Sequence, residues 1–433
     1  MLGARLAALL LGATATCRLA AQATDAFEQP PINYSSAQPR DAVARIQARM
    51  AVGEIKWTGG GKEVLVSLLR ELGIPVESQL LVFSKTSFQR PLIRPDRPRA
   101  LYFSDTSYVG WVPSGLIELA TIDPQLGPIF YSFDPNATDP QFLRNGECLS
   151  CHGGLFVRGI PGLFARSLFT DKEGEPLLRF GSTLVDFRTP FTNRWGGWYV
   201  TGTHGKALHR GNVLALEKND ELIVDLNRGA NLSTVPASLE VGSYPAPGSD
   251  IIALLVFEHQ MAMQNTLTRA SLNCRRMLAY QKNLQQELKE PLTDEPTYDS
   301  VKHVFESAAN ELVNDLLYKD EAPLPDGLAG SAAFQNAFRG NAPRARDASS
   351  LKDFHLKGRL FQNRCSYLIY SESFLTLPDV LKRRVYDRLI HALRPSDPDP
   401  DYAYLDAGER LRISRILTDT HEEYRRALER PRQ

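Results

Sequence analysis

Apolar residues recur at two different periods along this chain, and each change of period marks a new section. After a polar, Pro-containing lead-in over 24–39, Val43, Ile46 and Met50, and then Val64, Leu65, Leu68, Leu69 and Leu72, fall at helical spacing. This predicts amphipathic helices over 41–50 and 62–72, the second stopped at Gly73. From Gln79 the pattern shortens to β-type runs at 80–83, 100–103, 108–112, 116–121 and 129–133, separated by Gly and Pro, which predicts a small antiparallel sheet. A further hairpin is expected from 163–169 and 176–180, joined by a turn around Gly174.

Ser249 and Asp250 then precede a long helical pattern to about residue 290, closed by Pro291. Residues 298–318 form another amphipathic helix. The stretch 320–350 is rich in Pro, Gly, Ala and Asn and reads as a linker. Helical patterns return at 351–365, 377–393 and 405–428. The expected fold is α+β and mainly helical, with small antiparallel sheet elements around a central core and a helical C-terminal part. Four sections follow: a signal peptide at 1–23, N-terminal helices and strands at 24–145, a core at 146–290, and a C-terminal part at 291–433.

The first section has its own chemistry. Arg5, an apolar run over 6–13 and Ala21-Gln22-Ala23 have the charge, length and cleavage pattern of a secretory signal. Export to a bacterial periplasm is therefore expected, with no transmembrane segment after cleavage, because no later apolar run reaches spanning length. The 433 residues carry 50 basic and 50 acidic side chains. Cleavage removes Arg5 and Arg18 and no acid, so the charge balance gives no reason to expect nucleic acid as a partner.

Within the core section stands Cys148-Leu149-Ser150-Cys151-His152. Two cysteines three apart with His directly after the second match the attachment signal of a c-type haem, in which both thiols bond to the porphyrin edge and the imidazole ligates iron. A structural zinc site needs about four N or S ligands, whereas Cys17, Cys274 and Cys365 stand alone. A redox Cys-x-x-Cys is expected to follow a strand and open a helix, while 144–147 reads as a loop. One covalent haem c, with iron, is the expected cofactor, held by Cys148, Cys151 and His152.

Other residues become candidates by association. Arg194, Trp195, Trp198, His204 and His209 lie in a Gly-rich run that reads as a wall of the haem pocket, with Arg194 and Trp195 as cofactor-binding residues, Arg194 a partner for a propionate, and His204 or His209 facing the iron or a substrate. In the long helix, Glu258-His259-Gln260 interrupts an apolar run, and buried polar groups need partners. His259 is the preferred sixth iron ligand, with Met263 on the same face as the alternative, then His204 and His209. Cys274 and Cys365 are expected to form a disulfide in an oxidising compartment.

The pentapeptide resembles that of c-type cytochromes in general. The runs Trp195 to Gly205, His209 to Asn212, Ser249-Asp250 with Glu258-His259-Gln260, and Cys365 to Ser371 resemble a family of exported, haem-motif-containing bacterial proteins known as cytochrome c domain proteins, over roughly residues 100 to 420. The resemblance implies haem binding and electron transfer and leaves the reaction open. No Met lies between residues 153 and 260, so the distal methionine loop of small class I cytochromes is missing and a minimal class I fold is not expected. The expected function is a periplasmic monohaem cytochrome that exchanges single electrons with a redox partner protein or a small donor or acceptor. The alternatives are a peroxidase-like or oxidase-like haem enzyme with an open or displaceable sixth site, and a haem sensor or structural subunit of a respiratory complex.

Overall fold

The computed structural model describes residues 26–396 and 399–430. The expected signal peptide and its cleavage site lie outside the described residues. The fold is α+β, with a six-stranded antiparallel sheet and a helical C-terminal region.

Strands β1 (Leu80–Val82), β2 (Arg99–Phe103), β3 (Ser107–Trp111), β4 (Ile117–Asp123), β5 (Gly127–Phe133) and β6 (Phe142–Arg144) pair in chain order as a meander. Its register sets Tyr102, Val109, Leu119 and Tyr131 in one cross-strand row, and Phe103, Tyr108, Ala120 and Phe130 in the next. Successive side chains on a strand point to opposite faces, so these rows enter two different cores. The first packs with helices α1 (Ala42–Ala51) and α2 (Gly61–Glu71). Asp41 fixes that contact: it caps α1 by accepting from the Ala44 amide and also receives the hydroxyls of Thr121 and Tyr131.

Between the sheet and the next helix lies the short turn of helix α3 (Leu149–His152). The second face of the sheet then meets α4 (Ile251–Leu288), a 38-residue helix capped by the Asp250 carboxylate on the amides of Ile252 and Ala253. Every residue of its first three turns, Ile251 to Met261, is buried. Helix α5 (Asp299–Leu316) packs along α4, and Thr266 of α4 donates to Asp315 of α5.

The 320–350 stretch is not a free linker. Leu328–Ala329 pairs with Thr203–His204, residues 332–340 form helix α6 (Ala332–Gly340), and Leu324, Phe334 and Phe338 are in the core. Residues 351–365 are not helical. An isolated bridge joins Phe354 to Phe361, and those rings stack at 5.5 Å, which satisfies their apolar spacing without a helix. The expected strand at 176–180 is replaced by a 3₁₀ turn over Leu178–Phe180, and Arg166–Leu168 instead pairs with Ser182–Leu184. The C-terminus adds α7 (Glu372–Leu375), α8 (Asp379–Ala392), α9 (Ala407–Thr420) and α10 (Glu422–Glu429), so the expected last helix is broken at His421. Among the described residues no helix is long and apolar enough to cross a membrane.

Candidate functional site

The segment after β6 folds back over the sheet because its backbone is tied at both ends. Asn145 caps the first turn by accepting from the Glu147 amide, and α3 then carries Cys151 and His152. Gly162 meets Val157 and Asn265 so closely that a Cβ there would lie 2.8 Å from the Val157 side chain and 2.9 Å from Asn265 Oδ1. Only glycine allows this approach. Asn265, on α4, accepts from the Leu163 amide at 2.8 Å and donates to the Leu163 carbonyl at 2.6 Å.

This anchored loop orients His152. Its Nδ1 lies 2.8 Å from the carbonyl oxygen of Gly162, which can only accept, so Nδ1 carries the proton and Nε2 is the ring atom left for a metal. The ring is flanked by Phe130 of β5 at 4.8 Å and Phe164 at 4.7 Å. Burial lowers the pKa of His152 to about 4, which keeps the imidazole neutral, the form that binds metals.

Cys148, Cys151 and His152 line a cavity of about 1060 Å³. Its walls come from the second face of the sheet (Tyr108, Ala120, Phe130), from the 163–166 segment, from Trp198, and from Phe257 and Met261 of α4. Arg99 of β2 pairs with Glu118 of β4 at 2.6 Å inside it. The guanidinium crosses β3 over Gly110, where a Cβ would lie 2.2 Å from it. Phe88, Phe156 and Leu178, all exposed, the cations Lys85, Arg90 and Arg166 and the carboxylates Glu147 and Glu175 also line it. Cys148 is half-buried, and burial pushes its thiol up to about 11, while Cys151 is exposed.

The other sequence candidates lie elsewhere. Arg194 and Trp195 do not line this cavity. Arg194 is fully buried and ion-paired with Glu258, and Trp195 Nε1 donates to the second Glu258 oxygen at 2.6 Å. His204 and His209 sit with their rings 4.6 Å apart in a separate aromatic cluster. His204 Nε2 accepts from the Asn231 amide, and His209 Nδ1 from the Gly211 amide. His259 lies 2.8 Å from Ser366 Oγ and stacks on Tyr318 at 4.2 Å. Met263 is fully buried in the core and does not reach the cavity wall.

The polar interruption of α4 therefore finds protein partners. Besides the pairs of Glu258 and His259, Gln260 donates to the Ser104 carbonyl and the Tyr108 hydroxyl and accepts from Tyr367. Helical spacing correctly put His259 and Met263 on one face, but that face turns away from the cavity. Met261, about 200° around the helix from His259, lines it. The expected Cys274–Cys365 disulfide is also corrected: both residues are free, buried thiols in the core. Among the described residues no cluster of three or more His, Cys, Asp or Glu is arranged to hold a bare metal ion.

Scans of protein-family models, of curated proteins and of solved structures found nothing that matches this chain.

Proposed function

We propose that this chain is an exported monohaem c-type cytochrome that passes single electrons. The observation that carries the reading is the placement of Cys148, Cys151 and His152 together on the wall of one large, mostly apolar cavity, with Nδ1 of His152 already bound to a carbonyl. A pentapeptide that occurred by chance would need no such cavity beside it.

The residues present fit a covalent haem. The cavity exceeds the roughly 300 to 1,000 Å³ range of ordinary ligand pockets, and the apolar lining suits a flat macrocycle. Cys148 and Cys151 would hold its edge, and His152 would supply the proximal nitrogen. When bound, the haem supplies an iron centre that cycles between ferric and ferrous states. Phe130 and Phe164 fix the plane of the His152 ring, and Gly162 fixes its tautomer and strengthens its basicity. Arg166 and Arg90, which have no carboxylate partner among the described residues, are the cavity cations suited to propionate carboxylates, a role expected from sequence for Arg194; Arg99 and Lys85 are already paired with Glu118 and Glu175.

The test is a potentiometric titration of the protein matured in a host that attaches haem c. A reversible one-electron wave that disappears in a Cys148→Ala, Cys151→Ala double variant supports the reading. A protein that binds no haem, or turns over a peroxide or oxygen substrate without a reversible wave, overturns it.

A further inference from the structure

We infer that the thioether of Met261 is the second axial ligand of the iron. This rests on the haem reading and goes beyond it, because the sequence pattern favoured His259 and Met263.

The cavity itself selects Met261. Of the nitrogen and sulfur donors on its wall, Cys148 and Cys151 would be taken by the porphyrin edge and His152 would supply the first iron ligand. Lys85 is paired with Glu175 at 2.8 Å. The phenols are poor candidates: Tyr102 donates to Gln79, Tyr131 donates to Asp41, and burial raises the pKa of Tyr108, Tyr102 and Tyr131 so that their phenolates are disfavoured. Met261, 4% exposed, is the remaining soft donor among the described lining residues.

Its mounting is rigid in the way a ligand requires. Met261 follows Gln260, whose amide is tied to Ser104, Tyr108 and Tyr367, and lies one turn before Asn265, which clamps Leu163. Leu163 adjoins Gly162, the residue that orients His152. One stretch of α4 thus holds the proposed distal sulfur and anchors the loop carrying the proximal imidazole. Hydrogen bonds that fix the residues around a ligand in this way are what keep metal ligands at bonding distance.

The test is the ferric absorption spectrum of the matured protein and of Met261→Leu and Met261→His variants, with haem content per chain measured alongside. Leu preserves volume and is expected to fold. Wild type should show the weak far-red charge-transfer band of methionine bound to ferric iron. Met261→Leu should lose the band and turn high-spin with unchanged haem content, and Met261→His should lose it while staying low-spin. Covalent haem without the band in wild type, or a band that survives Met261→Leu, would overturn the inference and leave the haem reading standing. Absence of covalent haem in wild type would overturn both.

Discussion

Asn265 grips Leu163 at two points, accepting from its amide at 2.8 Å and donating to its carbonyl at 2.6 Å. Two residues 102 positions apart are joined as a strand pair would join them, but by one side chain. Replacing Asn265 with Leu should leave both backbone groups without partners, at about 1 to 3 kcal/mol for each buried group. Urea unfolding should show a loss of about 2 to 6 kcal/mol, and Asn265→Asp, which keeps the acceptor, a smaller one.

Arg194 and Glu258 form a buried ion pair, and Trp195 completes the carboxylate's hydrogen bonding. Burial pushes the Glu258 carboxyl up to about 7 against the pull of Arg194. Arg194→Met should therefore cost about 3 to 5 kcal/mol, because it strands a buried acid. Adding Glu258→Gln should recover part of that loss. Haem content per folded chain should not change in either variant, which separates this structural role from propionate binding.

His259 supplies a pH dependence of known sign. Burial lowers its pKa from 6.5 to about 3. Below pH 6.5 the unfolded chain takes up a proton that the folded chain refuses, so the stability contributed by the neutral ring is complete above pH 6.5 and is lost as pH falls toward 3. The stability of wild type relative to His259→Gln should thus shrink by about 1.6 kcal/mol between pH 6.5 and pH 5. The low-spin ferric spectrum should be the same in both proteins, since the ring packs against Ser366 and Tyr318 and does not line the cavity.

Cys274 and Cys365 are buried free thiols, and burial raises both, Cys274 to about 12. Protein lacking residues 1–23 and carrying haem should show two reactive thiols after unfolding without reductant, and none when native. A count of zero after unfolding would restore the disulfide.

Much of this arrangement can be read in the sequence, and the rest fails for identifiable reasons. Short apolar runs broken by Gly and Pro along 100–133 marked the central strands, and those runs are nearly continuous because each face of the sheet has its own core, with Tyr102 on one and Phe103 on the other. The motif at 148–152 marked the haem candidate because its spacing is chemical. The partners of α4 were hidden. Periodicity orders the faces of a helix but does not say what each face meets, so His259 and Met263 looked like ligands while Met261 faced the cavity. The pairing of Arg194 with Glu258 spans 64 residues and leaves no local signal. Composition misjudged 320–350, where Phe334 and Phe338 are in the core despite the surrounding Gly, Ala and Pro.

In the proposed function Cys148 and Cys151 carry one haem beside His152. The most direct test of that attachment is the intact mass of the matured chain after denaturation and acid–acetone extraction. The matured chain should exceed the polypeptide mass by one haem, and the Cys148→Ala, Cys151→Ala variant should show the bare polypeptide mass. A wild-type chain at the bare mass, or a double variant that keeps the extra mass, would contradict it.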